Sequence, residues 1–155
     1  KKNHHSSEPS SPQYLSAAEL YSDIGYDVMN LIKQNPGYQN TCATRMSMAL
    51  IKSGVPVKGR LKIKAGPHKG KAVETGAKLL ADHLSSPAVL GKPELIMDPS
   101  KAALKIGSRN GIAFFWKITG YDGGHIDLLE TTSTIKVCHS HCYFDCKHVW
   151  FWALM

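Results

Sequence analysis

Acidic residues are scarce in this chain, and a single cysteine stands before position 138. The 155 residues hold 12 Asp and Glu against 19 Lys and Arg, a formal charge of +7. Long apolar runs are missing too. The longest, residues 111–118 and 148–155, are strand-sized and far short of what spans a bilayer. Lys1-Lys2-Asn3-His4-His5 opens the chain without the apolar core of a signal peptide, as expected of a mature, already processed protein, although a cytosolic protein looks the same here. There is no internal repeat, and none of the low-complexity sequence lies beyond the first residues. Gly66-Pro67-His68-Lys69-Gly70-Lys71 superficially resembles a phosphate loop. It is one residue short, lacks the following Ser or Thr and follows no buried strand, so a nucleotide loop is excluded.

What is present suits one domain with a core of its own. Hydrophobic residues make up 43%, enough for a globular fold without a staple. The positive charge favours encounter with a polyanion, whether nucleic acid, membrane surface or bacterial wall polymer, without choosing among them. The richest basic patch (Lys58, Arg60, Lys62, Lys64, Lys69, Lys71) is Gly-rich and has no interleaved aromatics. It reads first as a mobile, solvated loop or hairpin and second as a polymer-gripping surface.

Residues 1–13 are Ser, Pro, His and Lys with little that is apolar, which predicts a disordered or loosely docked N-terminal arm before a single domain over 14–155. Ser16 with Glu19 forms a capping box, and Leu20, Ile24, Val28, Leu31 and Ile32 carry a helix to Pro36-Gly37. A second helix runs from Thr41 or Cys42 to about Ser53, closed by Gly54. Residues 57–63 alternate as a strand, 74–84 read as a helix, and Asp98-Pro99 is a helix start. Thereafter the period changes to that of strands: 111–118, 125–130, 135–137 and 149–154. Helices first and an antiparallel sheet after give an α+β fold, with N-terminal helices packed on a C-terminal antiparallel sheet.

Cys42 sits where a loop enters a helix. Unpaired N–H groups and the positive end of the helix dipole favour a thiolate there, although most lone cysteines are small core residues. His125 opens a strand behind Gly120-Tyr121-Asp122-Gly123-Gly124, whose glycines leave room for a substrate backbone. Cysteine at a helix start followed by histidine at a strand start, in that order, is the arrangement of a papain-like cysteine peptidase: Cys42 as nucleophile, His125 as base. Asp127 shares the face of His125 and can orient the imidazole, or merely salt-bridge at a sheet rim. His139, Ser140 and His141 on the next strand are the other candidates for that third role.

Cys138, Cys142 and Cys146 crowd near the C-terminus. Zinc is disfavoured, because the cysteines are three apart and no second ligand pair lies elsewhere. A disulfide within a secreted protein is preferred, Cys138–Cys142 first and Cys142–Cys146 second.

The segment Asn40-Thr41-Cys42-Ala43-Thr44-Arg45-Met46-Ser47, followed by Gly124-His125-Ile126-Asp127-Leu128, resembles the type VI secretion amidase effectors. More closely it is similar to their second subfamily and to the domesticated copies found in animals such as ticks. The resemblance covers about Tyr38 to Cys142. It implies a papain-like α+β fold and hydrolysis of amide bonds in the stem peptides or D-alanine cross-links of bacterial peptidoglycan, with Cys42 as nucleophile and His125 as general base. Relatives have a Cys-x-x-x-Cys pair, matched by Cys138 and Cys142, and some place a catalytic aspartate where this chain has Ser140. The implied enzyme is a secreted, extracellular, antibacterial monomer that needs no cofactor or metal and binds peptidoglycan rather than nucleic acid, with an immunity protein as partner if the source is a bacterium. The rival expectations are a zinc-stabilised basic module that binds nucleic acid and a non-catalytic protein that binds cell wall.

Overall fold

The computed structural model describes residues 2–154, which divide into two compact units, residues 1–76 and 77–155 by position in the chain. The first unit contains α1 (Ala17–Asp23), α2 (Val28–Gln34), a 3-10 turn (Pro36–Gln39), α3 (Cys42–Lys52) and a hairpin of β1 (Leu61–Lys62) with β2 (Ala72–Val73). Ser16 caps α1 as the sequence predicts: its hydroxyl accepts from the Glu19 N–H at 3.1 Å and meets the Glu19 carboxylate at 2.9 Å. The single long helix expected beyond it is two helices. Gly25, at φ +96°, breaks the run where a Cβ would lie 2.8 Å from the Lys64 Cβ, and Asp27 then caps α2. The apolar spacing survives the break, so Leu20, Ile24, Val28 and Leu31 still share one core with Met48, Ile51, Ile63 and Val73. Most of the strand expected over 57–63 is irregular, and only its last part pairs with β2.

α3 is buried from Cys42 to Ile51, polar residues included. Three side chains explain how polar groups are tolerated there. Thr44 shares a 2.8 Å hydrogen bond with the Tyr21 phenol of α1, whose pKa burial pushes up. Ser47 both accepts from the N–H and donates to the C=O of Glu74, each at 3.1 Å. Arg45 donates to Thr41 Oγ1 at 2.7 Å, to the Leu15 carbonyl at 2.6 Å and to the Ser6 carbonyl at 3.0 Å. A buried guanidinium has to find acceptors, and two of them are in or beside the N-terminal segment. Residues 2–13, expected as a disordered or loosely docked arm, are accordingly docked: His4 and Ser6 are buried, and Ser6 bridges Tyr14. Glu74, expected inside a helix, instead accepts from the Gly76 N–H and ion-pairs with Arg60.

The second unit has α4 (Ala77–Leu84), β3 (Glu94–Ile96), a 3-10 turn (Pro99–Lys101), α5 (Ala102–Ile106), β4 (Asn110–Trp116), β5 (Gly124–Thr132), β6 (Ile135–Cys138) and β7 (His148–Leu154). Asp98 caps the 3-10 turn through the Ser100 N–H. The five strands form one antiparallel sheet in the order β3-β7-β4-β5-β6. β4, the continuous apolar run, is central and buried over residues 111–115. Phe114 packs on one face with Trp116 and Trp150. Ala113 and Phe115 face the other, in a cluster with Ile106, Leu129, Val149 and Phe151. The sequence pattern overlooked β3, whose three residues are too few for a readable period. Mixed helices with an antiparallel sheet are the expected α+β class, and among the described residues no helix is long and apolar enough to cross a membrane.

Replacing Arg45 by Met would leave the carbonyls of Ser6 and Leu15 without their charged donor. The variant should lose about 1–3 kcal/mol of stability, and limited proteolysis should cut within residues 2–13 faster than in the unmodified protein. Equal cleavage rates would show that Arg45 does not hold this segment.

Candidate active site

His125 and Asp127 are brought together on β5 of the second unit, two residues apart and so on one face of the strand. His125 Nε2 lies 2.9 Å from Asp127 Oδ2. The imidazole side chain is 11% exposed and the carboxylate 0%. A buried carboxylate needs donors, and Asp127 has them from two segments. Oδ1 accepts from the Leu128 N–H at 2.8 Å, and Oδ2 from the N–H groups of Ser140 and His141, each at 2.9 Å. With two backbone N–H groups already pointing at Oδ2, the proton of the third contact belongs on Nε2. That tautomer leaves Nδ1 as the basic nitrogen of His125.

Among the four candidates for the third role, the Asp127 side chain meets the imidazole. Ser140, in the position where some relatives have an aspartate, reaches the same carboxylate through its backbone. The segment that supplies those N–H groups is closed by a Cys138–Cys142 disulfide with a Cα separation of 5.2 Å. It is tied down further along the chain as well. The Asp145 carbonyl accepts from the Thr119 N–H at 2.9 Å, the Asp145 carboxylate accepts from the Thr119 hydroxyl at 2.7 Å, and the Lys147 N–H donates to the Trp116 carbonyl at 3.0 Å. Two aromatic residues of this segment shape the surroundings of His125. The Tyr143 ring stands edge-on to the imidazole at 4.9 Å, and Phe144 packs edge-on to Phe115 at 5.3 Å. Tyr143 carries no signal in the sequence that would have singled it out. The bridge also takes Cys138 and Cys142 out of any zinc ligand set, and among the described residues no group of His, Cys, Asp and Glu could hold a metal ion.

The glycines before His125 serve a different purpose from the one expected. Space beside Gly124 is filled by the protein itself: a Cβ there would lie 2.7 Å from the Phe114 ring, and one at Gly123 would lie 2.5 Å from the Tyr121 ring. Gly120, at φ +82°, and Asp122, at φ +59°, turn the chain between β4 and β5. The Ile118 N–H, donating to the Gly123 carbonyl at 3.0 Å, closes that turn. At Gly123 and Gly124 the stretch is therefore a tight connection that fixes the start of β5, while Gly120 borders open space.

Cys42 belongs to the first unit, where it is buried and outside any disulfide at the first position of α3. Its N–H donates to Asn40 Oδ1 at 3.3 Å. Thr41, at the cap position, makes no side-chain cap bond, because its hydroxyl is the acceptor for Arg45. The positive end of α3 is thus left without the hydroxyl that usually satisfies it. The ties of Thr44, Arg45 and Ser47 hold the helix, and with it the thiol, in place. Cys146 is the other free cysteine, and burial pushes its thiol pKa up.

Two outcomes follow from this geometry. Asp127→Asn should reduce hydrolysis by roughly 10²- to 10⁴-fold, because the neutral amide loses the charge that supports an imidazolium. Ser140→Ala should leave turnover close to the unmodified level, since that residue serves Asp127 through its backbone. The reverse ranking, read from kcat, would move the third role to Ser140. For the cysteines, peptide mapping of unreduced protein should show the 138–142 bridge. In Cys42→Ala protein the remaining thiol, Cys146, should be alkylated by iodoacetamide only in alkaline buffer: burial favours the neutral form, so the thiolate appears at higher pH than for an exposed cysteine. Fast alkylation of Cys146 at neutral pH would contradict the upward push that its partial burial gives the thiol.

No curated protein matches the chain. Several solved structures do. A type VI effector Tae4 from Enterobacter cloacae shares 23% identity over 90% of this chain and 94% of its own, with a TM-score of 0.61. Tae4 from Salmonella typhimurium, solved in complex with the immunity protein Tai4 from Enterobacter cloacae, shares 21% over 91% of each chain at a TM-score of 0.67. In the Tae4–Tai4 complex from Salmonella Typhimurium the figures are 24%, 91% and 90%, and 0.65. These likenesses show the fold, the papain-like α+β fold expected from the sequence. The family described as type VI secretion system (T6SS), amidase effector protein 4, matches residues 38–152. The match is thus to the fourth effector rather than to the second subfamily that the short motifs resembled. With most of its length covered, the chain belongs to the type VI secretion amidase effector 4 family.

Proposed function

We propose that this protein is a secreted peptidoglycan amidase that hydrolyses amide bonds of bacterial stem peptides or their cross-links by cysteine–histidine catalysis. The observation that supports it best is the buried His125–Asp127 pair, held at 2.9 Å with its carboxylate fixed by backbone donors, in a chain of an amidase effector family. Cys42 is the nucleophile in this reading, and His125 is the base. His125 Nδ1 takes the thiol proton, and the sulfur adds to the amide carbonyl. N–H groups at the start of α3 stabilise the oxyanion. The imidazolium then gives its proton to the departing amine, leaving a thioester on Cys42. Water, deprotonated by Nδ1, cleaves the thioester to a carboxylic acid and the thiol. Asp127 keeps the imidazole in the Nε2–H tautomer and supports its positive charge in both halves of the reaction. No step requires a metal.

A disulfide fits a protein that works outside a reducing cytoplasm, and the net charge of +7 fits a substrate lying among anionic wall polymers. An immunity protein of the Tai4 kind, seen with the solved Tae4 effectors, is the partner expected if the source is a bacterium. The D-alanine cross-link was implied by the second subfamily, so the bond itself has to come from the products.

Purified peptidoglycan incubated with the protein should release fragments that mass spectrometry identifies as one water heavier in total, with a new amine and a new carboxyl end. Cys42→Ala should cut the rate on the order of 10³-fold or more while leaving the thermal transition in place. Undiminished release by that variant would overturn thiol catalysis. No new amine ends from any peptidoglycan would overturn the amidase reading.

A further inference from the structure

The basic patch on the hairpin of the first unit is not used by the chemistry above. Between Asp27 and Glu74 the sequence has no Asp or Glu, and six cationic side chains fall within residues 58–71. Lys58, Arg60, Lys62, Lys64, Lys69 and Lys71 are all exposed. The hairpin beneath them is built rather than loose. Leu61 pairs with Val73 and Lys62 with Ala72, the Ile63 N–H donates to the Lys71 carbonyl at 2.7 Å, and the Gly70 N–H to the Ile63 carbonyl at 3.0 Å. Ile63 and Val73 point inward, 1% and 0% exposed. The period of two then sends Arg60, Lys62 and Lys64 outward together. Lys64 lies over the Tyr26 ring at 4.8 Å, and the Lys64 N–H donates to the Ile24 carbonyl, which fastens the hairpin to the end of α1. The Glu74 carboxylate touches the patch and is committed to Arg60. Asp23, whose carbonyl borders the turn at Gly66, lies at its edge.

We propose that this hairpin docks a linear phosphodiester polymer of the polyol-phosphate kind carried by bacterial walls, holding the enzyme on the wall while it cuts. The chemistry separates this partner from other polyanions. Residues 52–73 contain no Phe, Tyr or Trp on which bases could stack, and the hairpin offers no helix for a major groove. Its apolar side chains are spent on the core, so it presents no face to insert into a bilayer. What remains, besides the Arg60 guanidinium paired with Glu74, is a row of exposed ammonium groups on a fixed backbone, suited to a flexible chain whose repeating feature is the phosphate charge. The choice of a wall polymer rests on the amidase reading. The binding itself does not require catalysis.

The test uses Cys42→Ala protein and a soluble poly(glycerol phosphate) chain, titrated calorimetrically at several salt concentrations. Two further triple variants are compared: Lys62→Gln, Lys69→Gln, Lys71→Gln on the hairpin, and Lys92→Gln, Lys101→Gln, Lys105→Gln as a control with the same loss of charge. The expected result is binding whose logarithmic salt slope falls by about 2 in the hairpin variant, from roughly 0.7 per lost phosphate contact, with little change in the control. In a background that keeps Cys42, the hairpin variant should cleave a soluble stem peptide at the normal rate and intact sacculi more slowly. Equal weakening in both triple variants would reduce the patch to diffuse net charge and overturn the proposal. So would tighter binding of single-stranded DNA with the same number of phosphates, or comparable binding to vesicles of phosphatidylglycerol. Loss of the docking result with hydrolysis intact would leave the amidase reading standing. Docking without hydrolysis by protein that keeps Cys42 would do the opposite.

Discussion

A buried carboxylate, Asp127, organises the second unit. With no exposure it cannot be hydrated, so four donors have to surround it: the imidazole of His125 and the N–H groups of Leu128, Ser140 and His141. Two of these come from a segment that has little regular structure and would otherwise wander. The Cys138–Cys142 bridge, the bonds of Asp145 and Lys147 and the packing of Phe144 on Phe115 deliver those N–H groups to the carboxylate. The carboxylate in turn fixes which ring nitrogen of His125 carries the proton. One charge thus couples the disulfide loop, the strand and the imidazole, and removing it would take this acceptor from three backbone donors and a histidine.

The first unit solves a related problem for α3. A helix that is buried all round would ordinarily be apolar all round, yet Thr44, Arg45 and Ser47 sit among its buried residues. Each spends its polar groups on a different segment: Thr44 on α1, Arg45 on the N-terminal segment and the cap residue, Ser47 on the backbone of Glu74. Such ties specify position and rotation more sharply than apolar packing does, which suits a helix whose first residue is the thiol.

Much of this was legible in the sequence. The Ser16 cap, the extent of α3, the central strand β4 and the shared face of His125 and Asp127 follow from capping residues and periodicity, which act locally. What escaped reading depended on partners distant in the chain. The break at Gly25 answers to Lys64, the docking of residues 2–13 to Arg45, and the use of Glu74 to Arg60 and Ser47. Gly123 and Gly124 were read as space for a ligand because a sequence shows the missing side chains and not the rings that fill their place. The short motif around Cys42 pointed to the right group of effectors, while the whole-length comparison was needed to reach the fourth member.

The central claim is that the reaction passes through a thioester on Cys42. Rapid acid quenching during turnover of a cross-linked stem peptide, followed by peptide mapping, tests it most directly. The account predicts an acyl fragment of the substrate attached to the peptide that carries Cys42, and none on the peptide that carries Cys146. Attachment at any other residue, or hydrolysis that continues after Cys42 has been fully alkylated, would contradict it.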